Sequence, residues 1–194
     1  MAVPSPVALP LHHLDTQIYA RMVDSGALEN QRVELLDGLL IEMSPQSTQH
    51  AAIIHRLTGL FAGRGQTPRV QLPLEVSGDS VPEPDIALVA QPPDPQRHPS
   101  TALLVVEVAV SSHDIDRVVK ARLYAGANVL AYWIVDVPGL AVEVRRDPGP
   151  VGYRSTDFFR PGDVIPSPAG PVDVGSLLAG LHAAKALLGP PPRP

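Results

Sequence analysis

Residues 103 to 110 read "LLVVEVAV", an apolar run interrupted by a single acid, Glu107. Side chains along a strand point alternately to opposite faces, so such a run cannot lie on a sheet with one wet face. It reads as a strand buried on both sides, which demands a sheet with further layers packed against it. An ionised carboxylate inside it is costly unless something positive offsets it. A second apolar run, "DIALVA" at 85 to 90, opens on Asp85 directly after Pro84. Proline donates nothing to a ladder and so suits the position before a strand. If these two strands pair side by side, the carboxylates of Asp85 and Glu107 converge at one sheet edge.

Two hard oxygen donors at that spacing suit Mg²⁺ or Mn²⁺, which keeps several waters and also takes phosphate oxygens. Lys120 follows on a helix that can fold back over the sheet. A lysine delivered to the strand end can orient an attacking water or neutralise charge on a scissile phosphate. Each residue also has a plainer reading. Asp85 can simply start a strand, and Glu107 can be satisfied by a buried arginine or backbone amides. Lys120 lies four residues after Asp116, the spacing of an ordinary helix-surface ion pair of roughly 0.3 kcal/mol. Only the ordered set, Pro-Asp, then an acid inside an apolar strand, then lysine, points to phosphodiester hydrolysis.

The remaining pattern is of mixed order. "DTQIYARMVDSG" predicts a helix capped by Asp15 and stopped by Gly26. "RVELLDGLLIEM" predicts a hairpin turning at Asp37-Gly38. "STQHAAIIHRLTGLFAG" predicts a helix capped by Ser47 or Thr48, with Ile53, Ile54, Leu57, Leu60 and Phe61 on one stripe. "RVQLPLEVS" reads as a strand with a proline at an edge or bulge. "SSHDIDRVVKARLYAGAN" reads as a helix opened by a capping box at Ser111 and Asp114. "LAYWIVDVPGLAVEVRR" is a hairpin turning at Pro138-Gly139, "VGYRSTDFF" a further strand, and "VGSLLAGLHAAKALL" at 174 to 188 a closing helix. Together they give an α/β sheet with helices on its faces. The expected organisation is one domain over 11–188, between disordered proline-rich segments at 1–10 and 189–194.

The 194 residues carry a net charge of −5, which argues against a general polyanion-binding surface while leaving room for a locally positive cleft. Cysteine is absent, excluding disulfides and cysteine-ligated zinc. No apolar run approaches the roughly 20 residues that span a membrane. The start "MAVPSPVALPLHH" lacks the pattern of a secretory signal. The chain therefore reads as soluble and cytoplasmic, with no membrane partner.

The ordered motifs "VELLDGLLIEMSP", His50 opening a helix, "PDIALV", "LVVEVAVSS", the run Asp116, Lys120, Tyr124, and "AYWIVD" at 131 to 136 resemble a known group. It is the Uma-type restriction-endonuclease family, formerly a domain of unknown function, within the PD-(D/E)XK nuclease superfamily. The resemblance covers roughly residues 15 to 180. It implies a restriction-endonuclease-like core, a mixed sheet flanked by helices, with divalent-metal nuclease chemistry carried by Asp85 and Glu107. The superfamily lysine stands two residues after the glutamate, where this chain has Ala109. The resemblance makes Lys120, on the following helix, the occupant of that role, since a long flexible stem can deliver the same ammonium from another backbone position. Glu34 matches an acid of the family pattern, with Val33 where tyrosine is usual. It stands near the metal or holds the lysine, unless it faces solvent from the hairpin. His50, Asp116 and Ser111 are candidates for substrate or supporting contacts, against capping roles for His50 and Ser111. Trp133 and Tyr132 read as core or interface rather than as a base-stacking platform.

The expected function is a Mg²⁺- or Mn²⁺-dependent DNA endonuclease, with Asp85 and Glu107 on the metal, Lys120 assisting and Glu34 as a possible fourth member. A homodimer follows by analogy, because a double-strand cut needs two sites, with the hairpin 130–146 as a candidate interface. The alternatives are a non-catalytic binding or assembly module on the same scaffold and a phosphohydrolase acting on a small substrate.

Overall fold

A computed structural model describes residues 11–181 apart from 91 and 93. The proline-rich segments expected to be disordered, and residues 182–188 of the expected closing helix, lie outside the described residues.

Helix α1 (Thr16–Asp24) starts where Asp15 accepts a bond from the Ile18 N–H at 2.7 Å. The hairpin of β1 (Val33–Leu36) and β2 (Leu39–Glu42) turns through Asp37 and Gly38, both left-handed with φ of 49° and 75°. Two positive φ values in a two-residue turn match the twist of the flanking strands. A Cβ on Gly38 would stand 2.6 Å from His13 Cβ, so the turn also needs glycine for space. Helix α2 (Thr48–Ala62) is capped by Ser47, whose hydroxyl accepts from the His50 N–H.

The sheet is built from β3 (Arg69–Val70), β4 (Ile86–Leu88), β5 (Leu104–Ala109), β6 (Ala131–Asp136), β7 (Ala141–Gly149) and β8 (Gly152–Phe159). They lie side by side in that order, all antiparallel except β5 and β6. Parallel neighbours need a crossover. Here a π-helical segment, Ile115–Lys120, running straight into α3 (Ala121–Gly126) supplies it. Two short strands, β9 (Val164–Ile165) and β10 (Val172–Asp173), and helix α4 (Val174–Leu177) follow.

Both faces of the sheet are covered, which explains why β5 is apolar apart from Glu107. Ile53, Leu57 and Phe61 of α2 pack on Leu104, Val106, Trp133 and Val144. On the opposite face Ala121 and Tyr124 of α3 pack on Val105, Tyr132 and Ile134. A smaller cluster of Tyr19, Leu28, Leu35 and Val81 fastens α1 and the first hairpin to the rim. The architecture is thus the expected mixed α/β sheet with flanking helices. Among the described residues no helix is long and apolar enough to cross a membrane.

Four local expectations change. The strand over "RVQLPLEVS" ends after Val70, because Gln71 turns left-handed at φ 51° and Pro73 can donate nothing to a ladder. The Ser111–Asp114 capping box does not form. Ser112 instead donates to the Asp116 carboxylate at 2.5 Å, and its carbonyl accepts the Asp116 N–H. Within the described residues the closing helix is only α4. The hairpin 130–146 is no free interface: β6 and β7 are inner strands, and Trp133, Val135, Val142 and Val144 are consumed by this chain's own core.

Tyr124, Tyr132 and Tyr153 form a ladder beneath α3, with centroids 5.1 and 6.0 Å apart. Burial pushes the hydroxyls of Tyr124 and Tyr132 well above their ordinary pKa. An acid whose folded pKa is raised stabilises the fold below its unfolded pKa, and that stability is lost as pH rises past it. Unfolding free energy should therefore fall above about pH 10. In Tyr132→Phe, denaturant titrations at stepped pH should show that slope reduced by about 1.4 kcal/mol per pH unit.

Candidate active site

Ile86 of β4 pairs with Val106 of β5, and Asp85, the residue before it, reaches the Val108 amide with its carboxylate, close enough to Glu107 to act on its charge. Both are buried. Asp85 Oδ2 accepts the Val108 N–H at 2.8 Å and meets His50 Nε2 at 3.0 Å. A carboxylate only accepts, so His50 Nε2 carries the proton in this bond. His50 Nδ1 is buried and has no hydrogen-bond partner among the described residues. The capping bond at His50 belongs to its backbone alone, and its ring turns inward to Asp85.

Lys120 is the last residue of the π-helical segment and is 5 % exposed, which rules out a surface ion pair with Asp116. Its ammonium lies 3.0 Å from Glu34 Oε1 and 3.1 Å from Glu107 Oε1. Glu34 reaches it from β1, where the bond from Val81 N–H to Leu35 O ties the hairpin to the chain entering β4. Glu34 is buried rather than solvent-facing, and its Oε2 accepts the Glu83 N–H at 3.1 Å. Glu107 Oε1 takes a further bond from the Tyr124 hydroxyl at 2.7 Å. Both bonds to Asp85 fall on one oxygen and both to Glu107 likewise, leaving Asp85 Oδ1 and Glu107 Oε2 without hydrogen bonds among the described residues.

The electrostatics follow from one ammonium amid several acids. Burial pushes Glu107 well above the usual carboxylate range; Lys120 pulls it down, while Asp85, Asp116 and Glu34 push it up again. Burial disfavours the charge on Lys120, but Glu107, Glu34 and Asp116 outweigh it and hold the pKa above the ordinary lysine value. The acids around it thus favour the charged form of Lys120, which as an ammonium only donates. Asp116 is also raised, chiefly by burial, against the pull of Lys120 and the Ser112 bond.

All seven residues singled out from the sequence, Glu34, His50, Asp85, Glu107, Ser111, Asp116 and Lys120, line one pocket. Six carboxylates line it against two cations, Lys120 and Arg32. Arg32 stands exposed at the rim where the pocket continues toward Asn30, and within the described residues it makes no ion pair. No group of three His, Asp or Glu side chains among the described residues could hold an ion by itself. Sequence reasoning gave Ser112 only a helix-capping part, counted Tyr124 in the family run without a role, and assigned none to Arg32 or the Val108 amide. Tyr124 had a signal, lying four residues beyond Lys120 on one helix face. Arg32 had none.

The family described as "Uma2: Putative restriction endonuclease" matches residues 19–177. The chain belongs to this family. The Uma2 match spans every pocket residue named above. One solved structure similar to this chain is the crystal structure, at 1.96 Å resolution, of a putative nuclease belonging to DUF820 from Anabaena variabilis ATCC 29413. It aligns with a TM-score of 0.62 and 17% identity, covering 75% of this chain and 89% of that one. At that identity the likeness shows the fold alone, and the fold of this Uma2 member is accordingly nuclease-like. No curated protein matches the sequence.

Proposed function

We propose that this Uma2 protein is a divalent-metal-dependent DNA endonuclease that hydrolyses phosphodiester bonds. The observation that carries the reading is Asp85 at the entry to β4 beside Glu107 of β5, each with one oxygen that takes no hydrogen bond among the described residues, next to the buried ammonium of Lys120. The donor set fits Mg²⁺ or Mn²⁺: two hard oxygens, with the rest of the shell left for water and substrate. Asp85 and Glu107 would hold the ion, which when bound supplies Lewis-acid polarisation of a phosphoryl oxygen and acidification of a water.

The chain's own residues then have distinct parts. Lys120 has two N–H groups directed at Glu34 and Glu107, and its third, which has no partner among the described residues, would orient the attacking water or meet charge developing on the scissile phosphate. Its part is that of a cation and hydrogen-bond donor. Glu34 holds that ammonium in place. His50 and the Val108 amide fix Asp85 so that Oδ1 is the oxygen left for a ligand. Ser111, exposed at the mouth, and Arg32 at the rim are suited to substrate contacts, Arg32 to a flanking phosphate. A two-fold dimer would supply the second site for a double-strand cut. A cysteine-free chain suits a reducing cytoplasm.

The test is nicking of supercoiled plasmid with Mg²⁺, with Mn²⁺ and with chelator. Metal-dependent nicking is expected. One observation favours a second reading: six acids lining the pocket repel a polyanion unless a cation offsets them. Absence of both nicking and calorimetric binding of either metal would favour a non-catalytic module on this scaffold. Turnover of a chromogenic phosphodiester without nicking would favour a small-substrate phosphohydrolase.

A further inference from the structure

The crossover helix has an irregularity that the proposed chemistry leaves unexplained. Over Ile115–Lys120 it is π-helical, and the Ala121 N–H is shared between the carbonyls of Asp116 and Val118, missing that of Arg117. Such a turn holds one residue more than an α-turn, equivalent to about 100° of rotation about the axis. The widened turn leaves the Arg117 carbonyl without the Ala121 N–H that an α-turn would give it, and the sheet beneath contacts the turn at two carbonyls. Arg145 Nη1 of β7 donates to Arg117 O at 2.7 Å, and the Tyr132 hydroxyl of β6 donates to Asp116 O at 3.1 Å.

Arg145 is itself fixed. Its Nε donates to Glu143 Oε1 at 2.6 Å, while Glu143 Oε2 takes the Nε of Arg117 at 2.7 Å. Glu143 is 2 % exposed and lies in the same cross-strand row as Glu107, through Ile134. Arg117 extends the network to Asp136, which also meets His113. A buried acid with two arginines is costly unless fully satisfied, and here both oxygens are engaged. The network grips the π-turn at backbone and side chain together, three residues before Lys120.

We propose that Arg145 is a positioning residue: by holding Arg117 O it keeps the turn π-helical, and the π-turn sets Lys120 between Glu34 and Glu107. The consequence for activity rests on the endonuclease reading above; the consequence for the lysine does not. Relaxation to an α-turn would pass the Ala121 N–H to Arg117 O and turn Lys120 relative to the sheet beneath, moving its ammonium away from Glu34 and Glu107.

The test compares wild type with Arg145→Met, Arg145→Lys and Tyr132→Phe by ¹⁵N NMR of the lysine ammonium groups, plasmid cleavage and thermal unfolding. In Arg145→Met the slowly exchanging Lys120 ammonium signal should be lost. Its kcat should fall by about 10- to 100-fold, with KM and Mn²⁺ affinity within about twofold. Arg145→Lys, which keeps a donor for Arg117 O, should recover part of both. Tyr132→Phe should move both in the same direction by less, and keeps the question answerable if Arg145→Met does not fold. An unchanged Lys120 signal in folded Arg145→Met or Tyr132→Phe overturns the proposal, even with a lowered Tm. If wild type cleaves nothing, the endonuclease reading falls while the ammonium signal still decides the positioning role.

Discussion

Glu107→Gln should nick plasmid at least about 10³-fold more slowly than wild type, while melting close to the wild-type temperature. The rate estimate takes several kcal/mol of metal-dependent stabilisation at 1.36 kcal/mol per tenfold. The fold should survive because the amide keeps an acceptor for the Tyr124 hydroxyl and the Lys120 ammonium, and because wild type already meets the cost of a charge in that strand. Asp85→Asn should behave alike, retaining an acceptor for the Val108 N–H. Calorimetry separates the causes: both variants should lose Mn²⁺ binding. Wild-type cleavage rates in either protein would remove the carboxylate pair from the chemistry and leave Asp85 and Glu107 as structural residues.

Lys120→Met should destabilise the protein by about 3–5 kcal/mol at neutral pH, because it strips the cation from two buried carboxylates and leaves them unpaired. The deficit depends on pH. Glu107 is already raised by burial, and Lys120 is the group that pulls it down. Without the lysine its folded pKa rises further above the unfolded value. Stability linked to such a group is complete below the unfolded pKa and lost as pH rises through the folded one. The gap between variant and wild type should therefore be small near pH 5 and large near pH 8, as read by urea titration. Lys120→Met/Glu107→Gln should regain part of the loss at pH 8. A deficit that does not vary with pH would mean that lost packing, and not lost charge compensation, is the cause.

Much of the fold was legible because it is encoded locally. Alternation and apolar runs marked β4, β5, β6 and β7; Asp37-Gly38 fixed the first hairpin by its φ demands; Asp15 and Ser47 capped the helices that follow them. Where local cues competed, they failed. Ser111 and Asp114 fit a capping box, but Ser112 bonds Asp116 instead. "RVQLPLEVS" has strand composition, yet Gln71 turns the chain away after two residues. The hairpin 130–146 was apolar enough for an interface, and its apolarity serves the centre of the sheet.

The site divides in the same way. Asp85 and Glu107 stood out because an acid in a dry strand is a local contradiction, visible without knowing its neighbours. Their meeting needed only the pairing of adjacent strands. The sequence alone thus determined the layered α/β sheet, the two carboxylates and the family pattern. Only the tertiary structure decided that Lys120 lies buried between Glu34 and Glu107, that His50 turns its ring to Asp85, and that Arg145 and Glu143 grip the π-turn. Those contacts join segments far apart in the chain, and no periodicity or cap records them. They exist because closing helices over both faces of a sheet leaves long polar side chains no water, so each takes the nearest opposite charge or free carbonyl that packing brings within reach.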